Sequence, residues 1–343
     1  VCETGIEFKL RLAKMKASYA EMDDNLARLE LFGKILKLEK KVKKYEKHLV
    51  SLEKDREFIR QLRMRGRADH TIAIMYCDFI SWHARCGDKI RDLALVLLRG
   101  NVRTPIHCIT WGDGAGCDAH TVVDSWKHVL RNTSLLDGAS ELHLIHDNGP
   151  CFGALRTLYW TSLIHDSTLK WRTSRQNGLK MWTNFLTIYH GGNESDGTGM
   201  CLKSSYNRWT LPSGCTGWPS NGPQLRDMVN GGHMSQYHAK SSHRLIAFYF
   251  GRIDYGKKVF EAVDGDGIKK NRNRRVLGDV SQVKYSWEQD GVETRLPGVI
   301  CVREVCGEGP WRFVDTLHSA TSERGVMCCG CSDKLGYPVY HGD

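Results

Sequence analysis

ELHLIHDNGPCF, residues 141–152, joins a short apolar run to a sharp turn. The apolar letters at 142–145 are typical of a buried strand, and the Asn-Gly-Pro that follows ends it. Asp147 therefore comes at the tip of a rigid strand. Carboxylates placed in this way, in twos and threes, hold Mg²⁺ against a phosphodiester. The same letters are also ordinary turn chemistry, because Asp-Asn-Gly is a common turn sequence.

Strand-like and helix-like segments alternate around this stretch. Apolar runs predict strands, and 3.6-residue spacing predicts helices. In chain order these segments are strands at 71–79, 93–99 and 104–113, a helix at 118–133, the strand before Asp147, a helix at 153–166, a strand at 183–190 and a helix at 198–209. Three strands followed by crossover units predict an α/β (α+β) domain with a mixed sheet and flanking helices. This order is that of a ribonuclease-H-like fold.

Acidic residues occupy the places in that fold where a metal site would form. The first and fourth strands of such a sheet lie side by side, so Asp78 and Asp147 are expected within reach of one metal ion. The third acid comes from the start of the last helix, where the chain reads YHGGNESDGTG, residues 189–199. Asp196 fits that place, and Glu194 is its rival.

Three ordered motifs carry a resemblance to a known family. They are Asp-Phe in the first strand, Asp-Asn-Gly-Pro-x-Phe after the fourth, and Tyr-His-Gly-x-x-x-x-Asp before a helix. Together they resemble the eukaryotic DDE/DDD transposases of the ribonuclease-H-like integrase superfamily, over residues 71–210 and more weakly to the C-terminus.

The resemblance implies that Asp78, Asp147 and Asp196 (or Glu194) hold Mg²⁺ or Mn²⁺ as metal ligands. His190, the motif histidine, orients the scissile phosphate or a carboxylate, or caps the turn. The implied activity is two-metal cleavage and transfer of DNA strands, which places the protein in the nucleus. Two alternatives remain: a domesticated, catalytically inactive DNA-binding or assembly protein, and a structure-selective nuclease.

Residues 1–66 predict a coiled-coil dimerisation helix. A 3,4 spacing of apolar residues forms a heptad seam, with Ile35, Val42, Leu49 and Arg56 at position a and Leu38, Tyr45, Leu52 and Ile59 at position d. In a parallel homodimer, lysines at position g would pair with Glu39 and Glu46 at position e of the second chain. A higher oligomer is an alternative. The alternative is a long helix packed on its own domain. MRGRADH, residues 64–70, reads as the linker to the next domain.

Composition favours a polyanionic partner. The chain has 343 residues and a formal net charge of +10, which points first to DNA. No apolar run reaches the roughly 18 residues of a membrane span, so no membrane partner is expected. The chain begins with Val1 rather than Met, so we expect a segment upstream of it.

The last region, residues 211–343, predicts an insertion followed by a β-rich part with basic residues and cysteines. Five cations in seven residues are expected to contact DNA phosphates, to serve as a nuclear import signal, or to form a solvated loop: Lys269, Lys270, Arg272, Arg274 and Arg275. Four cysteines have spacings that suit structural Zn²⁺, with unliganded thiols as the alternative: Cys301, Cys306, Cys328 and Cys331.

Overall fold

The computed structural model describes the chain in blocks separated by gaps. These are residues 3–112, 117, 119–147, 149–153, 155–162, 179–186, 194–208, 218–231, 246–249, 280–289, 292–295 and 298–316. The chain divides into two compact units, Val1–Glu57 and Phe58–Asp343. Within the described blocks, no helix has both the length and the apolar content that a membrane crossing requires.

The first unit is a helical hairpin. Helix α1 (Glu3–Ala20) turns back onto the long helix α2 (Asn25–Ala68), whose start is capped by the Asp24 carboxylate at 2.9 Å from the Leu26 amide nitrogen. The helices run antiparallel, because Lys9 pairs with Glu46 and Lys16 with Glu39. At the far end the Tyr45 ring lies against the backbone of Gly5, where any Cβ would clash with it.

The hairpin uses part of the heptad seam within one chain. Ile35, Leu38 and Val42 are all less than 9% exposed. Glu39 and Glu46, which the seam would pair with a second copy, are engaged by lysines of α1. The long N-terminal helix is confirmed, but its apolar stripe has an intrachain partner. An oligomer through the seam therefore stays a prediction.

Helix α2 also extends further than the sequence indicates. It continues through Gly66 to Ala68, so most of the expected linker at 64–70 forms its last turns. That expectation was wrong for a physical reason. Leu62, which like Gly66 belongs to the second unit, is buried against strand residues of that unit, and a Cβ at Gly66 would lie 3.2 Å from the Ile74 side chain. Close packing therefore keeps this end of the helix in place.

Among the residues that the structure describes, the second unit is built on a mixed sheet of nine strands. Its strands are β1 (Ile72–His83), β2 (Lys89–Arg99), β3 (Val102–Trp111), β4 (Glu141–His146), β5 (Lys180–Phe185), β6 (Ile246–Tyr249), β7 (Gln282–Lys284), β10 (Val299–Arg303) and β11 (Arg312–Asp315), in the order β11-β10-β7-β5-β4-β1-β2-β3-β6. Strands β8 (Trp287–Gln289) and β9 (Val292–Thr294) form a separate pair. β1, β2 and β3 are antiparallel neighbours, whereas β4 is parallel to both β1 and β5.

Helices cover both faces of this sheet. They are α3 (Ala119–Asn132), α4 (Pro150–Gly153), α5 (Leu155–Ser162), α6 (Glu194–Arg208) and α7 (Gly222–Asn230). Side chains of α3, α4 and α5 pack on one face in a single large cluster, which we call the apolar face. The end of α2 packs on the other face together with α6 and α7, in two smaller clusters. We call this second side the acid face.

The element order predicted from sequence is confirmed as a mixed α/β architecture with flanking helices. Several element bounds differ from the expected ones; β5, for example, begins at Lys180 rather than at residue 183. β1 does not end at residue 79, as expected, but continues to His83, because Trp82 and Ile90 are buried across the β1–β2 pair. α6 begins four residues earlier than expected, at Glu194. Helix α7 lies in a Gly- and Pro-containing stretch that gave no helical pattern, and it begins with an Asn221 cap and Pro223 in its first turn.

Candidate active site

Two of the candidate acids lie side by side on the acid face. β1 and β4 are parallel with Cys77 opposite His146, so Asp78 and Asp147 are the next pair in register. Alternation along β1 puts Asp78 on the side of Ile74 and Tyr76, which pack against α2. The carboxylate of Asp78 accepts a hydrogen bond from its neighbour, the Phe79 amide, at 2.7 Å.

The turn after β4 fixes the second carboxylate. Asp147 Oδ1 accepts a hydrogen bond from the Gly149 amide at 3.0 Å. This is an Asx-type turn, in which the side chain closes onto the backbone two residues later. A Cβ at Gly149 would lie 2.8 Å from Asp147 Oδ1, so a larger residue would displace the carboxylate. Asp147 can therefore form the turn and be the candidate acid at the same time, because the turn itself orients its carboxylate.

Helix α6 carries the third candidate acid and lies close to the sheet. Gly199 lets the helix approach the sheet closely, since a Cβ there would lie 2.3 Å from the Ile80 side chain and 3.2 Å from the Ala94 Cβ. Ala94 is the register partner of Asp78 on β2. Asp196 lies one helical turn before Gly199 and so on the same side of α6. The close approach of the helix thus brings Asp196 toward Asp78.

Asp147 and Asp196 each act electrostatically on Asp78. Burial raises the pKa of Asp78 to about 7, and the charges of Asp147 and then Asp196 act in the same direction. The hydrogen bond from the Phe79 amide opposes them. Clustered carboxylates of this kind repel one another unless a proton or a cation neutralises them.

Glu194, the rival for the third place, has different partners. Its carboxylate accepts hydrogen bonds from Arg63 at 3.0 Å and from Arg103 at 3.2 Å. Arg103 also donates to the Thr198 hydroxyl at 2.7 Å, and Arg63 donates to the Tyr76 hydroxyl at 2.8 Å. These contacts join the first turn of α6 to α2, β1 and β3. Glu194 is thus placed to hold the helix that carries Asp196.

His146 forms an aromatic support behind Asp147. Its ring stacks on Phe152 with centroids 4.3 Å apart and meets Phe185 edge-on at 4.8 Å. Nδ1 donates to the Asp147 carbonyl oxygen at 2.8 Å. Complete burial lowers the pKa of His146 to about 4, so the ring is neutral near pH 7. A neutral, hydrogen-bonded ring packed on aromatic side chains gives the turn a rigid base.

Several sequence-derived candidates lie outside the described residues. These are His190, the basic cluster Lys269, Lys270, Arg272, Arg274 and Arg275, and two of the zinc candidates, Cys328 and Cys331. The other two cysteines are described and buried. Cys301 packs in a cluster with Trp287, and Cys306 donates to the Ser281 carbonyl oxygen at 3.2 Å. Burial raises the pKa of Cys301 to about 12, whereas zinc requires a thiolate.

The donor set at the acid site suits a hard divalent cation. Mg²⁺ prefers carboxylate oxygens and keeps several of its waters, so two or three acids on rigid elements suffice to hold it. Over the described blocks of the chain, however, no three His, Cys, Asp or Glu side chains are already gathered closely enough to hold a metal ion. Donor chemistry and electrostatic coupling fit such an ion, and closer approach of the carboxylates would accompany its binding.

Sequence reasoning missed the arginines around Glu194. Arg63 belongs to a stretch that was assigned to the coiled coil, and Arg103 stands in a strand with no motif around it. Only the sheet register and the extension of α2 bring them together. Tyr76 was the one available signal, since a tyrosine two residues before Asp78 on the same face of β1 needs a polar partner if buried.

Comparison with models of known protein families gives no match to this chain, and comparison with curated proteins gives none either.

Proposed function

We propose that this protein binds DNA and acts on its phosphodiester bonds with the help of divalent metal ions, as a transposase-like strand-cleaving and strand-transferring enzyme of the nucleus. The observation that carries the proposal is the placement of Asp78, Asp147 and Asp196 on the acid face, at neighbouring points of the sheet and of the helix that packs on it. Asp78 lies on β1, Asp147 directly follows the parallel neighbouring strand β4, and Asp196 lies in the first turn of α6. The effect of the Asp147 and Asp196 charges on the pKa of Asp78 supports their proximity to it.

Two further observations support the proposal. The strand order β3-β2-β1-β4-β5, with three antiparallel strands followed by two parallel ones, is the order that a ribonuclease-H-like fold requires. The net charge of +10 suits a polyanionic substrate.

Each residue of the site has a role in this mechanism. Asp78, Asp147 and Asp196 would hold Mg²⁺ or Mn²⁺, which when bound activates the attacking oxygen and stabilises the leaving one. The Gly149 amide orients the Asp147 carboxylate, and the buried ring of His146 supports the turn from behind. Arg63 and Arg103 fix the start of α6 through Glu194. This chain therefore supplies rigid anionic ligands, and preorganisation is its main contribution.

The test separates binding from cleavage. Asp78→Asn, Asp147→Asn and Asp196→Asn should each reduce Mg²⁺- or Mn²⁺-dependent DNA cleavage by more than about 100-fold, while DNA affinity in EDTA changes little. Asp227→Asn is the matched control, because Asp227 lies on α7 and pairs with its neighbour Arg226. Wild-type cleavage rates in any of the three variants would remove that acid from the site.

A second function has one observation in its favour. In the described blocks the acids are not yet gathered as a finished metal site. That arrangement also suits a DNA-binding or assembly protein that has kept the fold and lost catalysis. The same assay decides between them. DNA binding by the wild type without cleavage in either Mg²⁺ or Mn²⁺ supports the binding protein, and metal-dependent cleavage that the Asp78→Asn variant lacks supports the enzyme.

A further inference from the structure

A basic cleft lies beside the acid site. It has a volume of about 200 Å³, and its lining includes Arg63, Arg67 and Arg103 together with Glu194. Three cations against one carboxylate leave it with an excess of positive charge. Two glycines, Gly66 and Gly100, also line it and contribute no side chains to fill it.

The backbone around the cleft is held in place. The Gly100 amide donates to the Gly66 carbonyl oxygen at 3.1 Å, which joins the β2–β3 turn to the end of α2. Gly100 has φ of +58°, a left-handed conformation that favours glycine. Its close neighbour is the His70 ring, which a Cβ at Gly100 would meet at 2.3 Å. The cleft is therefore a built feature of the fold.

The three arginines differ in how far they are engaged. Arg63 and Arg103 share the Glu194 carboxylate, and Arg63 also stacks over the Tyr76 ring. Arg67 is exposed and makes no ion pair or hydrogen bond with any other residue that the structure describes. A guanidinium fork left open beside two oriented arginines is the arrangement that recognises a phosphate oxygen pair.

The cleft is adjacent to the acids along two elements. Glu194, in its lining, precedes Asp196 by two residues on α6, and Tyr76, the partner of Arg63, precedes Asp78 by two residues on the same face of β1. Two strand residues span about 6.6 Å. Nucleotides in B-form DNA advance by about 3.4 Å each along the axis. A strand bound at the acids would thus reach the cleft within a few nucleotides.

We infer that the Arg63–Arg67–Arg103 cleft binds a backbone phosphate of the nucleic acid strand next to the one at the acid site. This inference rests on the proposed function for its choice of ligand. It assigns the cleft to a phosphodiester group through charge and hydrogen bonding, without recognition of bases. Arg67 supplies the contact to the phosphate. Arg63 and Arg103 contribute positive charge, and their hydrogen bonds to Glu194 fix their positions relative to α6.

The experiment uses Arg67→Glu and Arg67→Gln in the full chain, with Arg60→Glu and Arg60→Gln as matched controls. Arg60 is also exposed, lies two turns earlier on α2 and is outside the cleft. Fluorescence anisotropy measures the affinity for a short labelled single strand in EDTA across a salt series. Arg67→Glu should weaken binding about tenfold. It should also reduce the log–log salt slope by about 0.7, the value for one single-strand phosphate contact.

Equal losses in the Arg67 and Arg60 variants would overturn the inference, because the effect would then follow net charge alone. Inorganic phosphate at matched ionic strength forms a second arm. If inorganic phosphate binds the wild type through Arg67 while no nucleic acid strand binds, the cleft is a site for free phosphate. The inference that it binds a backbone phosphate is then wrong.

Cleavage assayed separately keeps the two proposals apart. If the wild type binds a strand through Arg67 but never cleaves it, the phosphate-binding role of the cleft is supported and the proposed enzymatic activity is contradicted. If Arg67→Glu binds and cleaves as the wild type does, the phosphate-binding role of the cleft is contradicted and the proposed enzymatic activity is unaffected.

Discussion

The two faces of the central sheet are built in opposite ways. On the apolar face Met75, Leu95 and Leu144 belong to one continuous cluster beneath α3. On the acid face the apolar clusters are small, and between them lie Asp78 and a buried pair in which His107 Nδ1 is 2.7 Å from Asp92 Oδ2. Charged groups in such positions cost stability unless they are paired. The difference indicates that the apolar face is the larger source of stability, while the acid face carries the polar groups of the proposed site.

The first prediction concerns the apolar face. Leu144→Ala should lower the free energy of unfolding by about 3 kcal/mol, because it removes a fully buried side chain and leaves a cavity. Asp147, three residues later on the chain, should tolerate Asn with far less loss. Urea denaturation of both variants measures the contrast. A Leu144→Ala variant as stable as the wild type would show that the apolar face is not the main source of stability.

The second prediction sharpens the contrast through pH. The folded-state pKa of Asp78, about 7, lies above its unfolded value near 3.8, so the folded state favours the protonated carboxyl. Its contribution to stability is therefore complete below about pH 4 and is lost as the pH rises through 7. Asp78→Asn removes this loss. Without metal, the variant should be more stable than the wild type by roughly 2 kcal/mol at pH 8, a value reduced for partial exposure.

Thermal unfolding of the wild type and the Asp78→Asn variant from pH 4 to 8 in EDTA checks this expectation. The difference between the two proteins should vanish at the acid end, which serves as the internal control. Adding Mg²⁺ at pH 8 should stabilise the wild type selectively, since ligands stabilise the state that binds them. A constant difference at every pH would mean that Asp78 titrates normally.

The same contrast explains how much could be predicted from sequence. Alternation and apolar runs identified β1 to β4 and α3, because burial on a sheet face or helix stripe sets the period directly. The Asp-Asn-Gly turn identified Asp147. Both depend on local chemistry, and so did the choice of Asp78, at the end of the first predicted apolar run.

What local patterns missed depends on long-range packing. A heptad stripe predicts that a helix has an apolar partner but does not say which one. In this chain α1 folds back along α2, and Ile35, Leu38 and Val42 of the stripe are buried. Gly199 looked like an ordinary glycine in a short helix, although its lack of a side chain sets the height of α6 over the sheet. Arg63 and Arg103 are 40 residues apart and meet only through Glu194. No periodic pattern in the sequence marks any of these contacts.

The last prediction has the smallest expected effect on stability and concerns Glu194. Its carboxylate and both arginines are about one-third exposed, so replacing it with Gln should lower stability by only about 0.5–1 kcal/mol. If Glu194 acts by holding α6, Glu194→Gln should retain measurable metal-dependent cleavage, reduced because Asp196 is less firmly placed. If Glu194 is instead the third metal ligand, cleavage should fall as far as in Asp196→Asn.

The double variant Arg63→Gln/Arg103→Gln separates these roles further. It removes the partners of Glu194 but keeps its carboxylate. On the positioning account it should resemble Glu194→Gln in how cleavage depends on Mg²⁺ concentration. On the ligand account it should free the carboxylate and leave metal dependence near that of the wild type. The acid face would then use Glu194 directly, and the two arginines would serve only to keep that charge neutralised before the metal binds.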